Sequence, residues 1–118
     1  MRRTHYCGTL RSAHVGQDVI LCGWVHRRRD HGGVVFIDLR DRTGLAQVVF
    51  KPDTAPAAHD KAGELRPEYV LAVRGRLEPR SADAINPKLA TGEVELVASA
   101  VHLLHMATTP PFPVEDEI

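Results

Sequence analysis

The side chains of this chain that could do chemistry gather between Arg27 and Gln47: the run Arg27-Arg28-Arg29, then Asp30-His31, then Phe36, then Gln47. Guanidiniums neutralise phosphates, an outward aromatic ring gives a base a stacking platform, and a side-chain amide offers a donor and an acceptor to a base edge. The combination has meaning only if these groups share one surface. Taken alone, Phe36 is equally an incidental surface ring or a ring lying under a loop.

Other chemistries find less support. The histidines include His26, His31, His102 and His105, but no third or fourth ligand stands at metal spacing, so no metal site is expected. Asp30-His31-Gly32-Gly33 reads as a hairpin turn rather than a phosphate loop. Ser12, Ser81 and Ser99 sit in no nucleophile motif. The acidic pairs Asp38 and Asp41, and Glu93 and Glu95, have no acid–base context and are expected to be solvated or paired with arginines. No catalytic residue is expected.

The elements that must position these groups follow from alternation. In the segment around Phe36, Val35, Ile37 and Leu39 form one apolar row, while Val34, Phe36, Asp38 and Arg40 form the other, at the two-residue period of a strand. If the apolar row faces a core, Phe36 points outward. The next segment repeats the pattern, with Ala46, Val48 and Phe50 inside and Leu45, Gln47, Val49 and Lys51 outside. Glycine turns at Gly32-Gly33 and Thr43-Gly44 separate these strands from each other and from an earlier one. That first strand, residues 18–29, is expected to hold Trp24 in the core. Gly23 marks a bulge or barrel corner, so parity cannot be carried from Leu21 to Arg29, but a run of three arginines places at least one guanidinium on the outer face.

A short helix is expected over 57–65, stopped by Pro67 at the latest. A fourth strand follows over 69–77, with Tyr69, Leu71, Val73, Gly75 and Leu77 on one row, then a polar loop over 80–92 and a fifth strand over 93–104. Residues 1–17 read as an irregular lead-in. Residues 107–118 hold Pro110, Pro111 and Pro113 and end on an acidic run, which is linker composition. Five strands with a helix between the third and fourth is the order of an all-β OB-fold, a five-stranded Greek-key barrel whose second and third strands bind oligonucleotides.

With 118 residues and 43% hydrophobic content, the chain is expected to build one core. Net charge is zero, yet the first 51 residues carry nine basic against four acidic groups and the remainder six against eleven. A basic face confined to the first three strands is therefore compatible with neutrality. Cys7 and Cys22 are the only cysteines and form no Cys-x-x-Cys pair, which with the lack of a signal sequence points to reduced thiols and a cytoplasmic location. No stretch approaches the length of a membrane span.

The segments Thr4-His5-Tyr6-Cys7-Gly8, Gly23-Trp24-Val25 through Arg29-Asp30, Phe36-Ile37-Asp38-Leu39-Arg40-Asp41-Arg42, Gly44-Leu45-Ala46-Gln47-Val48-Val49-Phe50 and Ala90-Thr91-Gly92-Glu93-Val94-Glu95 resemble the N-terminal anticodon-binding domain of bacterial-type aspartyl-tRNA synthetases. The resemblance covers nearly the whole chain. It implies that residues 1–106 are the anticodon-binding domain and 107–118 the start of a linker to an absent class II catalytic domain, where ATP and magnesium serve aspartyl-adenylate formation. The domain itself needs no cofactor. It also implies a monomeric fragment of a homodimeric parent, since that family builds its dimer mainly through the catalytic domain.

By the same resemblance, Phe36 stacks on the central anticodon base, a uridine, and Gln47 reads its edge. Arg27 and Arg29 meet bases and phosphates, Glu95 accepts from the first base, a guanine or its modified form, and Arg80 contacts the third, a cytosine. His31, Ala84 and Val49 depart from the family pattern, the first two near the third base. Those departures imply relaxed discrimination there, so that tRNA for asparagine is accepted beside tRNA for aspartate; neutral drift at a loop is the alternative. Two readings of other classes stand beside this one: a general single-strand nucleic-acid module, and a barrel whose Phe36 and arginines face another protein.

Overall fold

The computed structural model describes residues 2–106; the linker expected over 107–118 lies outside the described residues. Five strands close into a barrel in the order β1-β2-β3-β5-β4. They are β1 (Asp18–His31), β2 (Val34–Asp41), β3 (Gly44–Phe50), β4 (Val70–Pro79) and β5 (Val94–His105), with helix α1 (Pro56–Ala62) between β3 and β4. All neighbours pair antiparallel except β3 and β5, which run parallel. The expected OB-fold is the observed one, and closure removes the free sheet edges that an open five-stranded sheet would expose.

The core is the set of inward rows read from alternation. Val35, Ile37 and Leu39 of β2 and Ala46, Val48 and Phe50 of β3 are buried, and Leu71, Val73 and Leu77 of β4 join Val94, Leu96, Ala98 and Val101 of β5. Ala58 and Ala62 of α1 join the cluster with Leu65, and the lead-in contributes Cys7 and Leu10. The lead-in is thus structured: it forms two short 3-10 turns, Cys7–Thr9 and Ser12–His14. Asp41 fastens it. Its carboxylate, only 2% exposed, accepts from the Cys7 amide at 2.7 Å and from the Thr43 amide at 2.8 Å.

Helix α1 ends sooner than expected, because Gly63 follows Ala62 and closes the last turn with its amide bonded to the Asp60 carbonyl. Proline at the first turn suits its start, where an amide hydrogen has no helical partner. The hairpin between β1 and β2 is the two-residue Gly32-Gly33 turn, both residues at positive φ (56° and 85°), as a twist-matched hairpin requires. His59 of α1 donates from Nε2 to the Gly33 carbonyl, which ties that hairpin tip to the helix. The second turn falls one residue earlier than expected, on Arg42-Thr43, because the Asp41 carboxylate holds the Thr43 amide and β3 already begins at Gly44.

One expectation for β1 needs correction, while the barrel corner expected at Gly23 is present. Trp24 is half-buried and outside the core: it has the parity opposite to Val19, Leu21 and Val25, and Val25 takes the inward place instead. The parity break itself lies further on than Gly23. Val25 pairs with Leu39 but Arg27 with Asp38, so His26 is the extra residue of a β-bulge. Gly23 serves the corner itself, where β1 passes from pairing with β4 to pairing with β2; a Cβ there would stand 2.4 Å from the Arg40 carbonyl oxygen.

Candidate nucleic-acid interface

The His26 bulge decides which arginines reach the outer face. Without it, Arg27 and Arg29 would share the inward parity of Val25. With it they stand opposite Asp38 and Phe36 on β2, on the same face as those residues, and His31 follows opposite Val34. Arg28 takes the other face. Its guanidinium emerges past the barrel end, donating to the Gly63 carbonyl at 3.0 Å and pairing with Asp30 at 2.9 Å. Arg28 is thereby a structural clasp between β1 and the turn after α1.

On the outer face a cleft of about 660 Å³ opens over β1, β2 and β3. Its walls include Arg27, Arg29, His31, Phe36, Gln47 and Arg80, so six of the seven expected residues meet in one place. The seventh, Glu95 of β5, adjoins through a hydrogen bond from Gln47. Phe36 is half-buried. The Arg29 guanidinium carbon lies 5.6 Å from its ring centroid, and the His31 ring meets it edge-on at 5.9 Å between centroids. Both contacts restrict the ring, which suits a stacking platform.

A polar chain runs across four strands from the same arginine. Arg29 pairs with Asp38 at 3.3 Å and donates to Gln47 Oε1 at 3.1 Å; Gln47 Nε2 donates to Glu95 Oε1 at 3.0 Å. Gln47 is only 7% exposed, and each end of its amide is engaged within the protein. The expectation that Asp38 pairs with a neighbouring arginine is met. Arg29 Nε is buried without a protein partner.

Arg80, at the end of β4, is 9% exposed and anchors the following loop, donating from Nε to the Val94 carbonyl at 2.9 Å and from an Nη to the Ala84 carbonyl at 3.4 Å. Burial lowers its pKa from the ordinary arginine value; the nearby charges of Glu95 and Asp38 oppose that shift, and Arg29 adds to it. The carboxylates therefore serve a cationic cleft by making it affordable to bury guanidiniums there.

The loop contributes more than the sequence suggested. Asp83, Ala84, Asn86 and Leu89 line the same cleft as Phe36. Of these, Ala84 was singled out on sequence and the others were not; a polar loop rich in turn residues carries no periodicity from which inward positions could be read. Among the described residues no group of three or more His, Cys, Asp or Glu is placed to hold a metal ion, and no helix is long and apolar enough to cross a membrane. Chemically, the cleft can stack a planar ring, bind anions and read hydrogen-bonding edges.

The chain is similar to known proteins. The Aspartate–tRNA(Asp/Asn) ligase of Desulfosudis oleivorans is 58% identical over 118 residues, which is 100% of this chain and 20% of that protein. The Aspartate–tRNA(Asp/Asn) ligase of Moorella thermoacetica is 56% identical over the same length, again 100% of this chain and 20% of the relative. The chain thus spans about a fifth of the length of these relatives. Among solved structures, an OBody, AM2EP06, bound to hen egg-white lysozyme superposes with a TM-score of 0.78 at 26% identity, covering 91% of this chain and 97% of that one. Asparaginyl-tRNA synthetase from Pyrococcus horikoshii complexed with asparaginyl-adenylate gives 0.76 at 24%, covering 96% and 24%, a likeness of fold. The tRNA anti-codon family, described as an OB-fold nucleic acid binding domain, matches residues 19–104, from the first inward valine of β1 to the end of β5, and this chain belongs to it.

Proposed function

We propose that this chain is the anticodon-reading domain of an aspartate–tRNA ligase that accepts the tRNAs for both aspartate and asparagine. The observation that carries the reading is the convergence of Phe36, Arg27, Arg29, His31, Gln47 and Arg80 on one cleft, with Glu95 bonded to it. A ring to stack on, guanidiniums for phosphates and an amide at the floor are the parts that a splayed single-stranded loop requires. The printed names of the similar ligases support the choice of amino acids.

Phe36 stacks on the central anticodon base and Gln47 meets its edge, Glu95 accepts from the first base, and Arg80 faces the third. Relaxed reading of the third base is supported by His31 and Ala84, which line the same cleft as Arg80. In the parent protein, ATP and magnesium belong to a catalytic domain reached through residues 107–118. The chain itself is a monomer in the cytoplasm, and the parent is a homodimer.

Binding of anticodon stem-loops GUC and GUU to the chain tests the dual specificity. Affinities within tenfold are expected. A loss of about 1.4 kcal/mol or more against the GUU loop would rule out relaxed third-base reading. Equal affinity for unrelated single strands, with the same salt slope, would instead make the barrel a general nucleic-acid module.

A further inference from the structure

We infer that Arg29 and Glu95 act as positioning residues that lock the amide of Gln47 in one orientation, and that this lock is what separates uridine from cytidine at the base stacked on Phe36. The inference rests on the anticodon-reading function proposed above. It begins from the two ends of one side chain. Gln47 Oε1 accepts from Arg29 at 3.1 Å and Gln47 Nε2 donates to Glu95 Oε1 at 3.0 Å. A guanidinium can only donate and a carboxylate can only accept. Turning the amide over would set its NH2 against a cation and its oxygen against an anion, losing both bonds and gaining two repulsions. Asp38 secures the arrangement by pairing with the Arg29 Nη2 that makes the bond.

An unconstrained glutamine is a poor judge of pyrimidines. Uracil presents an acceptor, O4, beside a donor, N3–H; cytosine presents a donor, the N4 amino group, beside an acceptor, N3. The two patterns are reversed, and an amide that turns over freely satisfies either. Gln47 keeps one lone pair on Oε1 and one hydrogen on Nε2 beyond those already used. With the turn forbidden, those remaining groups offer a fixed order of acceptor and donor, and a base held in one pose on Phe36 fits only if its own order is complementary. The second Glu95 oxygen stays available to another donor. The charges flanking Gln47 thus confer selectivity without touching the base they select.

Glu95→Gln tests this, because the substituted amide can turn to meet either end of Gln47 and so removes one of the two locks. The chain is titrated with stem-loops GUC and GCC, before and after substitution. Wild type is expected to prefer GUC, and the variant to lose about tenfold of that preference. The ratio is the readout, so any change in binding of the first base cancels. An unchanged ratio, whatever the fall in overall affinity, would overturn the inference while leaving anticodon reading intact. Failure of wild type to bind either loop would overturn both. A second measurement needs no RNA: the Gln47 side-chain amide hydrogens, followed by NMR in the free chain, are expected to exchange faster with solvent in Glu95→Gln, and equal exchange would contradict the lock.

Discussion

Arg29 stands directly opposite Phe36 on the antiparallel β1–β2 ladder, its guanidinium carbon 5.6 Å from the ring centroid. The pairing exists because the bulge at His26 reverses the parity of β1 after Val25. Deleting His26 would remove the extra residue and leave Arg27 next to Val25, so that Arg27 and Arg29 keep the outer face on a regular ladder. A loss of less than about 3 kcal/mol is expected, because no guanidinium is turned inward. His26→Ala, at an exposed position that keeps the bulge, should stay within about 0.5 kcal/mol. Urea unfolding of both variants checks this, and a deletion variant that fails to fold would mean that the bend at the bulge is itself required.

Phe36 lies outside the buried cluster, so its loss should separate binding from folding. Phe36→Ala is expected to weaken stem-loop binding by about 1–3 kcal/mol and to change unfolding free energy by less than about 1 kcal/mol. Phe36→Trp should retain binding. Calorimetric titration and thermal unfolding on the same samples separate the two effects.

Asp41 shows the opposite pattern. Its carboxylate joins the lead-in at Cys7 to the Arg42-Thr43 turn from a buried position outside the cleft. Asp41→Ala leaves the amide of buried Cys7 unpaired and should destabilise the barrel by about 1–3 kcal/mol, while the folded protein binds stem-loops normally. A binding loss as large as the stability loss would show that the lead-in takes part in recognition.

Arg27 is exposed at the cleft rim and is expected to act through phosphate charge. Arg27→Gln should lower affinity for matched and mismatched loops alike and reduce the slope of log affinity against log salt by roughly 0.7, the single-strand value per phosphate contact. An altered preference between loops would assign Arg27 to base reading instead.

The parts of this account that could be read from sequence are those set by a strict period. β2 alternates buried and half-buried positions without interruption, so its inward row and the outward Phe36 followed from residue type alone; in β3 the inward row is as expected, but Gln47 and Val49 of the outer row are buried too. β1 resisted because a bulge has no residue signature of its own: Gly23 drew attention as the irregular residue, while the parity changed at His26. Trp24 looked like core by size and lost the place to Val25 by parity. The burial of Gln47 was not visible either, because it depends on Arg29 and Glu95, which arrive from β1 and β5. Loop positions Asp83, Asn86 and Leu89 became part of the site only through the way Arg80 folds that loop back, by bonds to the Val94 and Ala84 carbonyls.

The central claim is that Phe36 and its neighbours read the middle base of an anticodon. It is tested most directly by titrating the chain with a stem-loop bearing GUC and one bearing GAC, in wild type and in Phe36→Ala and Gln47→Ala. The account predicts at least about a tenfold preference for GUC, lost in both variants. Equal binding of the two loops by wild type, or a preference that survives both substitutions, would contradict it.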